Sequence, residues 1–388
     1  MQDIFVSKIN INEVRHIRDF EINLSETERK HLIITGKNGS GKTSLLNEIG
    51  GFCQQIESGM IASYEVLQKA NPKLLSMFGV EVFFNLAGTI GKISEVVENY
   101  HRKGEFIFTS FAAKRNAQLK EPSGIQKVTL KNVYHYGEKP GYEFYQYIVN
   151  QKADRSFAKD EGDAEGVKKV EEWFDNFEKA LAELFDNNAL QLEFDRKSYQ
   201  FHIIEDGKAP FTLNQLSDGY SAILDIVTEL IMRMEEHKQK SYDVQGVVLI
   251  DEIETHLHVD LQKKILPFLV AFFPKIQFIV TTHSPFVISS VSNAVICDLE
   301  KRIVTEDLSG YSWDTILESY FEVDKYSAEL KKKIEAYERL EAKETLTEQE
   351  QDELRELARY LEDTPKFLAT ELAVKLQQIK LRRIGRRK

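Results

Sequence analysis

Apolar and polar residues alternate from Ile4 to Ile11 and again from Phe20 to Leu24, the period-two pattern of strands with one buried face. The stretch Glu13 to Arg18 between them reads as a turn. His31 to Thr35 is a continuous short run centred on Leu-Ile-Ile, as expected of a strand covered on both faces. A helical stretch then extends to about Ala70, interrupted by Gly50-Gly51 and closed by Asn71-Pro72. Strand-like runs follow at Val80 to Leu86, Glu105 to Phe111 and the aromatic-rich Val133 to Val149. The aromatics of that last run suit a sheet core or an interface, with base stacking as the alternative.

From Val167 to Leu184 apolar residues recur at helical spacing, which predicts an amphipathic helix between Gly166 and Phe185. Beyond Gly207 the pattern becomes loop, helix, strand, helix, strand, with Val247 to Ile250 and Ile276 to Val280 as buried parallel strands. From Ser327 the chain turns charged and helical, is broken at Asp363-Thr-Pro365, and ends in the basic stretch Lys380 to Lys388. That tail is either a solvated end or a phosphate contact.

Composition narrows the class. With 388 residues, 29% charged and 42% hydrophobic, the chain has the make-up of an ordinary globular protein with room for about one to three domains. No apolar run approaches the ~20 residues of a membrane span, and Met1 to Phe5 opens no targeting pattern, so a cytoplasmic location without membrane contact is expected. Cys53 and Cys297 have no metal-ligand spacing and read as reduced packing residues. A net charge of −11 argues against a uniformly basic nucleic-acid surface.

The candidate chemistry begins at Gly36-Lys-Asn-Gly-Ser-Gly-Lys-Thr43, which fits G-x-x-x-x-G-K-[ST] between a strand and a helix. In such a loop backbone N–H groups cradle phosphates, Lys42 reaches the terminal phosphate oxygens and Thr43 ligates Mg²⁺, so ATP or GTP with Mg²⁺ is expected, with Asn38, Gly39, Ser40, Gly41, Lys42, Thr43 and Ser44 as contacts. The apolar strand ending in Asp251-Glu252 supplies a second Mg²⁺ residue, Asp251, and a general base, Glu252. His283, at the tip of the next strand, is placed to sense the terminal phosphate or the attacking water, or is a structural histidine. Leu216-Ser-Asp-Gly-Tyr220 reads locally as a helix cap.

Taken together, the phosphate loop, Leu-Ser-Asp-Gly-Tyr, Leu-Ile-Asp-Glu-Ile-Glu-Thr-His-Leu-His and Thr-Thr-His-Ser-Pro resemble the ABC-type ATPase heads of the RecF, Rad50 and SMC lineage. Within it, the chain is similar to stand-alone ATPases of bacterial anti-phage systems such as PARIS and Septu and to overcoming-lysogenization-defect proteins. The resemblance implies an α/β P-loop NTPase: an ABC-type head over residues 1–300, with an N-terminal antiparallel sheet and a helical lid inserted at about 70–215, then a C-terminal helical extension over 301–388. It implies a homodimer or larger homo-oligomer that sandwiches ATP, Ser217 and Gly219 of one copy closing on the phosphate held by Lys42 of another. It also implies a nucleotide contact from Arg15, an interface role for Glu254 to His258, and a glutamine-bearing loop for which Gln118 is a candidate.

Sustained heptads of a long coiled coil are missing, and the stretch after His283 lacks the acidic cluster of the nuclease domain in overcoming-lysogenization-defect proteins. A separate effector, a nuclease or toxin, is therefore expected, with the chain as its ATP-dependent switch. The alternative is a RecF-like repair ATPase that clamps duplex DNA. A transporter motor fits less well, because it requires a membrane partner.

Overall fold

The computed structural model describes residues 2–61, 79–238, 242–316, 328–343 and 345–363. The end of the first expected helix past residue 61, with its Asn71-Pro72 stop, and the basic tail Lys380 to Lys388 lie outside the described residues. The chain divides into two compact units, Met1–Trp313 and Asp314–Lys388.

The first unit is built on a six-stranded sheet of order β12-β11-β3-β10-β9-β5. Its strands are β3 (His31–Thr35), β5 (Phe106–Phe111), β9 (Gln245–Ile250), β10 (Ile276–Thr281), β11 (Ala294–Asp298) and β12 (Ile303–Glu306). All pair in parallel except β12, which runs antiparallel on the edge. Every residue of β3, β9, β10 and β11 is buried, which explains why these strands read as unbroken runs rather than alternations. Alternate side chains, among them Leu32, Ile34, Val247, Leu249, Ile279 and Cys297, enter one core with helix α1 (Lys42–Glu57).

A second, antiparallel sheet of order β2-β1-β4 covers the far side of that core; its strands are β1 (Val6–Val14), β2 (Ile17–Asn23) and β4 (Val80–Phe84). The first two strands run further than the alternation indicated, because Val14 pairs with Ile17 and the turn contracts to Arg15 and His16. Arg15 takes φ +56° to make that tight reversal. Two buried glutamines join the sheets. Gln245 Oε1 accepts the Ile4 N–H at 2.9 Å, and Gln277 bonds both the N–H (2.7 Å) and the carbonyl (2.9 Å) of Val6. Cys53 and Cys297 are free and buried, and burial pushes both thiols up to about 12.

Residues 144–238 form the helical part: α3 (Phe144–Glu161), α4 (Ala164–Phe185), the antiparallel sheet of β6 (Gln191–Asp195), β7 (Gln200–Ile204) and β8 (Phe211–Thr212), and α5 (Asp218–Lys238). Helix α2 (Ile90–Arg102) lies earlier, between β4 and β5; α6 (Val259–Phe272) and the short α7 (Pro285–Ile288) follow later. The strand expected over Val133 to Val149 is not formed. A short 3₁₀ turn at Pro140–Glu143 leads into α3, where Phe144 and Tyr147 pack on Trp173 of α4, and Gly162 ends the helix in the left-handed region. Packing across two helices outweighed the β preference of the individual aromatics. Their role as core is as expected: Phe144, Tyr145 and Tyr147 are buried.

The second unit holds α8 (Ala328–Glu341) and α9 (Glu348–Asp363), whose Ile334, Tyr337, Leu340, Leu354 and Leu361 form its own apolar cluster. No helix among the described residues is long and apolar enough to cross a membrane.

Candidate active site

Because β3, β5, β9, β10 and β11 run the same way, the segments leaving their C-terminal ends meet at one edge of the sheet. Backbone pairing continues past the strand ends and locks these segments together: Asp251 N–H to Phe111 O (2.9 Å), Ile253 N–H to Thr281 O (3.1 Å) and Thr282 N–H to Ile34 O (3.0 Å). This is why motifs scattered from residue 36 to residue 283 converge.

The loop from Gly36 to Gly41 joins β3 to α1. Gly36, Gly39 and Gly41 have φ of +134°, +84° and +100°, a backbone path that side chains resist. Lys42 is buried, and its Nζ donates to the carbonyls of Gly36 (2.8 Å) and Lys37 (3.2 Å). Burial pulls its pKa down, against the upward pull of Glu252, Glu254, Asp251 and Asp298. Ser40 Oγ is buried with no partner, while Asn38, Gly39 and Thr43 face solvent and Ser44 is half-buried. Lys37 pairs with Glu300 beyond β11 at 2.8 Å.

Thr43 and Asp251 are in direct contact: the threonine hydroxyl lies 3.0 and 3.1 Å from the two carboxylate oxygens. Thr281 at the end of β10 donates to Asp251 Oδ1 at 2.6 Å and accepts the Glu252 N–H at 2.7 Å. Glu252 itself sits at φ +43°, a left-handed conformation costing a non-glycine residue on the order of 1 kcal/mol or more. Its carboxylate accepts the Thr255 hydroxyl at 3.3 Å. His283 N–H donates to Glu254 Oε1 at 2.5 Å, whereas His283 Nε2 and Glu254 Oε2 are buried without partners. Burial lowers the His283 pKa, aided by Lys42 and opposed by Glu254 and Glu252.

The structure thus brings Lys42, Thr43, Asp251, Glu252 and His283 into one polar cluster. Thr281 and Glu254 belong to the same cluster; from the sequence alone Thr281 has no role and Glu254 only an interface role, although a strand-end threonine and a third acid beside Asp251-Glu252 are visible signals. Arg15 is exposed at the β1–β2 turn, whose neighbours reach the loop: a Cβ on Gly41 would lie 3.2 Å from Ile17 Cδ1 and 3.9 Å from His16 Cε1. Ser217 and Gly219 lie elsewhere, in an open cleft of about 740 Å³ at the start of α5 lined also by His256, His258 and Lys263, with no residue of the phosphate loop on its wall. Gly219 is held against the segment after Glu252, since a Cβ there would meet His256 O at 2.9 Å. Gln118 is exposed, whereas Arg115, Ala117 and Leu119 of that segment are buried.

The donor set suits a nucleoside triphosphate. A buried ammonium, a glycine loop with an unpartnered hydroxyl, a threonine–carboxylate pair and an unpartnered imidazole nitrogen all border one edge. The family described as "AAA domain, putative AbiEii toxin, Type IV TA system" matches residues 128–289, the stretch holding Ser217, Asp251, Glu252 and His283.

This edge of the sheet is a P-loop nucleotide site.

Among curated relatives of the chain, the Septu protein PtuA of Bacillus mycoides (strain KBAB4) is 26% identical over 338 residues, spanning 82% of the chain and 44% of the relative. The Escherichia coli protein named "Retron Ec83 probable ATPase" is 34% identical over 137 residues, 32% of the chain and 25% of the relative. The chain therefore spans less than half the length of either relative. Among solved structures, an SMC head bound to the C-winged helix domain of ScpA aligns with 79% of the chain and 99% of its own, with a TM-score of 0.42 and 12% identity.

Proposed function

We propose that this chain is an ATPase and the nucleotide-driven switch of a bacterial anti-phage system, acting as a homodimer or larger homo-oligomer on a separate effector protein, a nuclease or toxin. Support for the defence setting comes from its Septu and retron relatives. Support for the chemistry comes above all from the Thr43–Asp251 contact at 3.0 Å, which places the loop's hydroxyl and the first acid side by side with Glu252 next in the chain.

In this reading Asn38 to Ser44 enclose the phosphates with backbone N–H groups and Lys42 pairs with the terminal phosphate oxygens. Thr43 and Asp251 would hold Mg²⁺, which when bound neutralises developing charge on the phosphates. Glu252 takes the proton of the attacking water. His283 meets the terminal phosphate or that water through its unpartnered Nε2. Ser217, exposed at the start of α5, and Gly219 face the nucleotide of a second copy, so the site is complete only across a pair.

Two substitutions separate binding from turnover. Lys42→Ala is expected to abolish binding of a fluorescent ATP analogue. Glu252→Gln is expected to bind it normally while losing at least about a hundredfold in turnover. A Glu252→Gln protein that hydrolyses ATP at the wild-type rate rules out the base assignment. For the switch, co-purification with the product of the neighbouring gene under ATP and ADP is the test; an assembly that never forms removes the effector from the proposal.

A further inference from the structure

Arg115 lies four residues past the end of β5 and is 5% exposed. Its Nη1 donates to the carbonyls of Asp251 (2.7 Å) and Ala112 (2.8 Å), and its Nη2 to those of Glu252 (3.2 Å) and Ile253 (3.1 Å). Three consecutive carbonyls of the acid turn are therefore gathered on a single guanidinium, and the middle one belongs to the residue held at φ +43°. A planar fork of fixed donors suits this task, because it meets diverging acceptors at once.

The next two residues face the other way. Asn116 Oδ1 accepts the Ser221 hydroxyl, and the Ala117 N–H donates to Ser221 Oγ at 3.1 Å. Ser221 is in the first turn of α5, where its N–H bonds the carbonyl of Ser217 at 2.9 Å. Asp225, one turn further along α5, adds its charge to the guanidinium's surroundings, ahead of Glu254, Asp251 and Glu252.

We infer that Arg115 is a positioning residue for hydrolysis: it fixes the backbone of Asp251 to Ile253 so that Glu252 stays in its left-handed conformation, and Asn116 and Ala117 tie this grip to the seat of α5. The inference rests on the reading of Glu252 as the base. Its consequence is that a shift of the helix bearing Ser217 at its start moves the acid turn through protein bonds alone.

The test is steady-state hydrolysis by the full chain, paired with equilibrium binding of a fluorescent ATP analogue. Arg115→Ala and Arg115→Lys should each lower kcat at least about tenfold while KM and the analogue's Kd stay within about twofold of wild type, since misplacement affects the reacting geometry and not ground-state binding. Lysine keeps the charge but not the fork, so its failure to rescue separates geometry from electrostatics. If Arg115→Ala does not fold, Ser221→Ala, which removes both bonds to Asn116 and Ala117, should still lower kcat about threefold at unchanged KM.

Wild-type kcat in Arg115→Lys overturns the inference, as does a rise in KM and Kd that accounts for the whole loss. Glu252→Gln run alongside tells the two readings apart. An inactive Glu252→Gln with a normal Arg115→Lys sinks only the role of Arg115, whereas an active Glu252→Gln sinks the base assignment whatever Arg115 does.

Discussion

His31, 3% exposed at the start of β3, accepts the Phe278 N–H on Nδ1 at 3.1 Å. Burial, with the nearby Arg29 adding to it, lowers its pKa from 6.5 to about 4. A proton on Nδ1 would turn this acceptor into a second donor facing a donor. The unfolded chain takes up that proton first, so the stability held by neutral His31 is full above pH 6.5 and drains away as pH falls towards 4. By linkage the loss is on the order of 3 kcal/mol. Urea titrations at pH 7 and pH 4.5 should show a difference in unfolding free energy that shrinks in His31→Gln. At this scale the sequence exposed residues whose meaning is local, such as the Gly36–Thr43 loop and the Asp251-Glu252 pair. It hid Arg115, Gln245 and Gln277, because the main-chain groups of Asp251, Ile4 and Val6 that they bond lie more than 100 residues away.

Among the elements, α5 shows how one helix holds a long connection in place. Glu229 and Arg233 pair at 2.9 Å, with side chains 3% and 2% exposed. Arg233 also donates to the carbonyls of Tyr134 (3.1 Å), His135 (3.2 Å) and Glu138 (2.6 Å), while Glu229 accepts the Gly141 N–H at 2.8 Å. Burial raises the Glu229 pKa and Arg233 draws it back, so the carboxylate depends on its arginine. Arg233→Met should cost about 3–5 kcal/mol in chemical denaturation, and adding Glu229→Leu should recover part of that by removing the stranded carboxylate. The same region explains why the strand expected over 133–149 gave way. Strands buried on both faces are legible as apolar runs, as β9 and β10 were, but Phe144 to Val149 makes an equally apolar run. Only its contacts with Trp173 and Phe177 on α4 decide for helix, and those partners are distant in the sequence.

For the whole molecule, the separation of the Ser217 cleft from the phosphate loop carries the proposal that two copies complete one another. Mixing subunits tests it without further structure. Lys42→Ala and Ser217→Arg should each be inactive alone, whereas a mixture regains turnover, because one of the two sites in each mixed pair keeps its lysine and its serine; no recovery would refute shared sites. The α/β character and the converging strand ends were legible because the parallel strands announce themselves as runs ending in polar motifs. The way β1 is stitched to the central sheet through Gln245 and Gln277 was not, since a glutamine in a strand carries no periodic signal.

The two native thiols follow from this layout. Cys53 on α1 and Cys297 on β11 are 1% and 0% exposed, and each resists ionisation up to about 12. Only a thiolate reached by solvent reacts with an alkylating reagent, so modification at neutral pH must wait for the local structure to open. The wild-type chain therefore contains two chemical clocks on elements adjoining the phosphate loop. Their ticking rates, followed by mass spectrometry, should slow together when ATP is added.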